Sequence, residues 1–149
     1  MIRPMTMQDV PLLISLGADM HKESRYAHLD FDPVKLLDLA NQVLAYPDTH
    51  LALVYEVENT AVGFCAAYVV EHFFGHDLTS GDFAIYVLPE HRKGMAGIKL
   101  IKSYLKWCES KGVKEPLLGV SAGIIPDRIG KLYEHLGFTE KYIVYKRPL

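Results

Sequence analysis

At 149 residues, half of them hydrophobic and 23% charged, the chain is sized for one ordered domain and excludes a disordered tail. A formal net charge of -2 speaks against a dedicated nucleic-acid binder, which carries a basic excess. There is no apolar leader, and no apolar run approaches the roughly 18 residues of a membrane helix. The expectation is a soluble, cytoplasmic, single-domain protein spanning 1–149, with Cys65 and Cys108 as reduced thiols.

In chain order, Ile2 to Met5 reads as a short extended segment, because Pro4 biases its predecessor away from helix. Thr6 precedes Asp9 at the spacing of a capping box, and Val10, Leu13, Ile14 and Leu16 predict a helix from Met7 to Lys22. Glu23 to Phe31 breaks the pattern. Asp32 as N-cap and Pro33 at the first helical position restart a helix, whose face is Val34, Leu37, Ala40 and Leu44 and which Tyr46-Pro47-Asp48 ends.

Strands follow at Leu51–Val57 and Ala61–Phe74, joined by a turn at Glu58-Asn59-Thr60; Gly63 marks a bulge or a close backbone approach. A third strand, Asp82–Leu88, stops at Pro89. A helix covers Met95–Ser110 on Ile98, Ile101, Leu105 and Trp107-Cys108, ending near Gly112. A strand at Glu115–Val120, a helix at Pro126–His135 and a last strand at Tyr142–Tyr145 complete the order β-α-α-β-β-β-α-β-α-β. This is an α/β (α+β) pattern with helices covering a mixed sheet. Tyr142-Ile143-Val144-Tyr145 reads as an edge strand that needs a partner, which leaves a homodimer open.

The chemistry concentrates where the third strand halts. Pro89-Glu90-His91-Arg92-Lys93-Gly94-Met95-Ala96-Gly97-Ile98 is a basic, glycine-containing loop running into a helix. Amides at a helix start lack intrahelical partners and point outward, and the helix dipole adds partial positive charge there. Gly94 and Gly97 let a phosphate approach the backbone, and Arg92 and Lys93 add charge. A pyrophosphate suits such a site. Neither a Gly-Lys-Ser/Thr phosphate loop nor a Gly-x-Gly-x-x-Gly fingerprint is present.

Val87-x-Pro89-Glu90-x-Arg92-x-x-x-x-Gly97 resembles the acetyl-CoA motif of the GNAT superfamily of N-acetyltransferases, written as Gln or Arg, two residues, Gly, one residue, then Gly or Ala. Counted from Arg92, Met95 stands at the first glycine position and Gly97 at the second. Counted from His91, the small residues are Gly94 and Ala96; the spacing to Leu100-Ile101 favours Arg92. Lys131-Leu132-Tyr133-Glu134-His135-Leu136-Gly137-Phe138 is similar to the superfamily's carboxy-terminal signature, and Ile2-Arg3-Pro4-Met5-Thr6 to its opening. Pro126 departs from the pattern, since many relatives have an Asn there that touches the cofactor. The short chain is also similar to small acetyltransferases carried by phages and mobile elements.

The resemblance implies the GNAT fold, with the parallel strands Phe83–Leu88 and Leu117–Val120 splayed around acetyl-CoA, the cosubstrate. Backbone groups of Tyr86, Val87 and Leu88 would bind the pantetheine and the thioester oxygen, and Arg92 through Ile98 the pyrophosphate. No metal is implied. Tyr133 occupies the family's general-acid position. Asp82 is the best positional match for a base, with Glu71, His72 and Glu23 as alternatives or no base at all. The acceptor is an amine, either a small molecule or a protein; no membrane or nucleic-acid partner is implied. His21–Leu29, with Phe73-Phe74, falls where the family builds its acceptor wall. The alternative is a non-catalytic acyl-CoA-binding or host-interaction protein on the same fold.

Overall fold

In a computed structural model, which describes residues 1–120 and 122–148, the amino terminus is fixed by charge. Strand β1 (Ile2–Pro4) presents Arg3, whose guanidinium donates to Asp9 at 2.7 and 2.8 Å and to Glu56 at 2.8 Å. Asp9 also accepts from the Thr6 amide at 2.7 Å, which completes the capping box. A 3-10 turn at Met7–Asp9 therefore precedes helix α1 (Val10–Glu23), three residues later than the sequence pattern placed its start. Asp32 caps α2 (Pro33–Ala45) by accepting from the Val34 amide at 2.9 Å.

β2 (His50–Val57), β3 (Thr60–Glu71) and β4 (Leu78–Val87) form an antiparallel meander, and β5 (Glu115–Pro116) joins β4 in parallel, giving the sheet order β1-β2-β3-β4-β5. Helices α3 (Ala96–Ser110) and α4 (Pro126–His135) flank β5 in sequence. None of these helices is long and apolar enough to cross a membrane.

Two cores sandwich the sheet. On one face Leu100, Tyr104 and Cys108 of α3 pack on Cys65, Ala67 and Val87. On the other, Leu13 and Leu16 of α1 meet Val54, Phe64 and Tyr86. Each fully buried aliphatic or aromatic side chain contributes about 1.5–3 kcal/mol, and β4 is anchored on both faces, through Val87 on the α3 side and Tyr86 on the α1 side. Cys65 and Cys108 are unpaired and buried, and burial pushes the Cys65 thiol well up from its ordinary range.

Tyr104 carries a polar group into that core and satisfies it. Its hydroxyl has one hydrogen, given to the Leu117 carbonyl at 2.7 Å, so it accepts from Ser80 Oγ, also at 2.7 Å. Ser80 Oγ in turn lies 3.3 Å from Cys108 Sγ. This chain of donors ties α3 to the point where the chain leaves β5.

Four expectations need correcting. β5 is Glu115–Pro116 and does not run on to Val120, because its pairing with β4 is limited to Thr79–Glu115 and Ser80–Pro116. β3 ends at Glu71, not Phe74, because the chain turns at His72–Gly75, where the Gly75 amide bonds the His72 carbonyl at 3.0 Å. β4 begins at Leu78 because it pairs with Val69–Glu71 along the hairpin. Tyr142–Tyr145 form no strand: they are 69–90% exposed, and the hydroxyl of Tyr142 alone reaches β5, at Glu115. Strand propensity reflects packing on a pleated neighbour, and nothing is buried there to favour it.

Candidate active site

The parallel pairing of β4 and β5 is limited to Thr79–Glu115 and Ser80–Pro116; beyond it the two chains separate. A cleft of about 490 Å³ opens between Asp82–Val87 on one side and Gly119–Val120 on the other, floored by α3 and closed by α4. Its volume suits a small-molecule ligand. A β-bulge at the root of the gap bends β4. Ala66 pairs with Ala84 but Ala67 with Asp82, so Phe83 is the extra residue.

Strand alternation decides which backbone groups face the gap. The Leu88 amide bonds the Val62 carbonyl at 2.9 Å, and the Leu88 carbonyl accepts from His91 at 2.9 Å, so the Leu88 amide is not available to a ligand. Tyr86 is in the same phase and faces β3, which is why a Cβ on Gly63 would come within 2.8 Å of the Tyr86 carbonyl. The expected close approach at Gly63 is thus present. Val87 does face the gap, and alternation adds Ile85, which the sequence reading passed over.

The basic loop reaches α3 with Met95 as N-cap, which offers no side-chain capping bond. The first amides of α3 are therefore not capped by the chain's own side chains. A Cβ at Gly97 would meet nothing within 4 Å, so the chain itself does not require glycine there; the open space is the cleft.

Arg92 is oriented differently from the phosphate role assigned to it. Its Nε donates to the Val87 carbonyl at 2.7 Å, and its terminal nitrogens bind the Glu23 carboxylate, one of them at 2.7 Å. Tyr86 donates its hydroxyl to the same carboxylate at 2.9 Å, with the guanidinium 5.2 Å from its ring centre. The Arg92 hydrogen bond, with help from Tyr86, holds Glu23 below the usual carboxylate range; Tyr86 itself is pushed up to about 12 by burial and by Glu23. Arg92 thus braces the loop against the end of α1. Lys93 lines the cleft nearby, and so does Arg128, from the first turn of α4, which donates to the Arg92 carbonyl at 3.1 Å.

Asp82 and Tyr133 both line the cleft. Asp82 Oδ1 accepts from the Gly119 amide at 3.2 Å, and the Tyr133 hydroxyl donates to the Gly119 carbonyl at 3.0 Å. Burial raises the Asp82 carboxyl above its ordinary range, offset in part by the Gly119 amide. Burial also raises the Tyr133 phenol, and the charge of Asp82 adds to it.

The other base candidates fall elsewhere. Glu23 is committed to Arg92; Glu71 lies 3.3 Å from exposed His76, and His72 sits in the hairpin turn, both outside the cleft lining. Phe73 and Phe74 are 84% and 86% exposed at that turn and do not reach the cleft. In the other part of the acceptor wall, the Arg25 amide bonds the Ala122 carbonyl at 2.8 Å, joining the α1–α2 segment to the approach to α4, and Tyr26 lines the cleft.

A family model described as an acetyltransferase (GNAT) domain matches residues 48–140, from the start of β2 to beyond α4. This chain belongs to the GNAT acetyltransferase family. Solved structures share its fold across the whole chain. An integron cassette protein from the mobile metagenome of Cole Harbour Salt Marsh superposes with a TM-score of 0.79 at 18% identity, covering 99% of this chain and 90% of that one. Glucosamine-6-phosphate N-acetyltransferase from Arabidopsis thaliana gives 0.77 at 17%, covering 99% and 97%. Ribosomal-protein-alanine N-acetyltransferase from Brucella melitensis gives 0.73 at 19%, covering 100% and 99%. No curated protein matches the sequence. The GNAT assignment made from the two motifs therefore holds, and a protein of mobile-element origin shares the fold.

Proposed function

We propose that this chain is a single-domain, cytoplasmic N-acetyltransferase that moves an acetyl group from acetyl-CoA to a primary amine by direct attack. The observation that carries the reading is the gap between β4 and β5, which ends at the uncapped start of α3. A slender amide-bearing arm with a polyanionic end fits that shape. Lys93 through Ile98 would hold the pyrophosphate on backbone amides, with Lys93 and Arg128 supplying charge. The Val87 amide would donate to the cosubstrate in the gap, where a donor aimed at the thioester oxygen also stabilises a developing oxyanion.

Two residues are assigned to the protons. Asp82 accepts one from the incoming ammonium, and the free amine attacks the thioester carbon, forming C–N and breaking C–S. The thiolate takes the Tyr133 proton, and the surplus proton on nitrogen restores the phenol; the Asp82 proton leaves to solvent. A phenol is protonated at neutral pH at its ordinary value, and burial moves Tyr133 further in the same direction, so the donor form is the one present.

A second reading, a non-catalytic acyl-CoA-binding or host-interaction protein, draws on the Tyr133 hydroxyl being engaged at Gly119. The thermal midpoint with acetyl-CoA, CoA, ATP and NAD, followed by an amine panel, separates the two. Acetyl-CoA and CoA alone should raise it, by about 2.7 kcal/mol of stability at a hundredfold excess over Kd. Binding without turnover on any amine supports the second reading; no shift with either CoA species refutes both.

A further inference from the structure

We propose that the acceptor is a primary amine with a single positive charge and a flat, aromatic body, seated against Phe83. The inference rests on the acetyl-transfer reading and names the substrate class for the same cleft.

The bulge in β4 is its origin. Because Phe83 is the extra residue, Phe83 and Ala84 project on the same side of the sheet in succession, and Asp82 is turned to the other side. A regular strand would not place an aromatic ring beside Ala84 in the cleft wall. Phe83 remains 42% exposed while lining the cleft.

The ring is held in place. Tyr68 packs on it with centroids 4.9 Å apart, and His50 lies parallel to it, 3° between planes, at 6.1 Å. His50 is itself fixed, with Nδ1 2.9 Å from Thr49 Oγ1 and 3.3 Å from the Tyr46 carbonyl. A rigid aromatic surface favours a flat apolar partner, since neither side loses much freedom on contact.

Charge restricts the partner further. Among the described residues lining the cleft, Asp82 is the one carboxylate, against Arg92, Lys93 and Arg128. Glu23, the acid beside Arg92, is already paired. Asp82 lines the same cleft from the other side of β4, so an amine carried past Phe83 into the gap finds its counter-charge there, whereas the further ammonium groups of a polyamine would be desolvated without one.

The test compares 2-phenylethylamine, n-hexylamine and spermidine as acceptors for the full chain and for Phe83→Ala and Phe83→Leu, with acetyl-CoA binding followed by thermal midpoint. The expected result is kcat/KM for 2-phenylethylamine at least tenfold above spermidine and severalfold above hexylamine. Phe83→Ala should remove the aromatic preference through the amine KM, leaving the KM for acetyl-CoA unchanged, and Phe83→Leu should do the same if the alanine variant folds poorly. A preference for spermidine, or equal loss on all amines in both variants, overturns the proposal. Acetyl-CoA binding with no turnover of 2-phenylethylamine overturns it while leaving the cosubstrate assignment intact; failure to bind acetyl-CoA removes both.

Discussion

Asp82 and Tyr133 grip one residue from two directions: the carboxylate holds the Gly119 amide and the phenol holds the Gly119 carbonyl. Gly119 lies where β5 would have continued to pair with β4. The two side chains therefore replace ladder hydrogen bonds that the gap forfeits, and each remains in the cleft, within reach of a reacting group. The same pair fixes Gly119 across the gap and, in the mechanism proposed above, supplies the proton chemistry.

Tyr133→Phe tests the second half of that statement. Loss of one neutral hydrogen bond should cost about 0.5–1.5 kcal/mol of stability, measured by urea unfolding. Loss of the general acid should lower kcat by about 10²- to 10⁴-fold. A kcat within twofold of the parent would assign Tyr133 to structure alone.

Asp82→Asn separates charge from shape. Asparagine keeps an oxygen for the Gly119 amide while removing the buried charge. The Asp82 carboxyl is raised on folding, so the stability it contributes is present below its unfolded value, near 3.9, and is lost as pH rises through the folded one. The variant should therefore be at least as stable as the parent at pH 7, an advantage that closes towards pH 4. In activity, the acid limb of kcat/KM should lie above the range of an ordinary aspartate in the parent and disappear in the variant. An unchanged limb would remove Asp82 from the role of base.

Much of this architecture was legible in the sequence, for reasons of range. α1, α2 and α3 announce themselves by apolar spacing and by Pro33 and Asp32 at the second helix start, all decided within a few residues. The basic loop running into α3 is equally local. What the sequence hid depends on distant partners. The bulge at Phe83 follows from register against β3, and a one-residue slip leaves no mark in composition. Arg92 looked like a phosphate ligand because its partner, Glu23, is 69 residues away. Arg128 enters the cleft only because α4 packs over it. Tyr142–Tyr145 has the composition of a strand without the neighbour that would make it one.

Glu23→Gln tests the brace between α1 and the basic loop. It removes the charge that holds Arg92 while preserving shape, and should cost about 1–2 kcal/mol. The Glu23 carboxyl is lowered on folding, so its contribution is present above its unfolded value, near 4.3, and is lost as pH falls through the folded one. The gap in stability between parent and variant should hold at pH 7 and close below about pH 4. The released guanidinium should also disturb the loop, raising the KM for acetyl-CoA more than it changes kcat. A pH-independent difference would mean that packing, and not the ion pair, carries the contact.

Two glycines make opposite predictions from the same substitution. At Gly63 an added Cβ would lie 2.8 Å from the Tyr86 carbonyl and 3.1 Å from Val87 Cγ2, and the nearer obstacle is backbone. Gly63→Ala must push β4 away from β3, which costs about 1–3 kcal/mol and shifts the edge of the gap. At Gly97 a Cβ meets nothing within 4 Å, and the residue lies in the first turn of α3. Gly97→Ala should therefore leave stability unchanged or raise it by about 0.5–1 kcal/mol through helix propensity and reduced freedom of the unfolded chain. The space it fills is the space assigned to the pyrophosphate, so acetyl-CoA affinity should fall about tenfold or more by calorimetry. The decisive pattern is a variant at Gly97 that folds as well as the parent and binds the cosubstrate poorly. Undiminished affinity there would move the pyrophosphate off the start of α3.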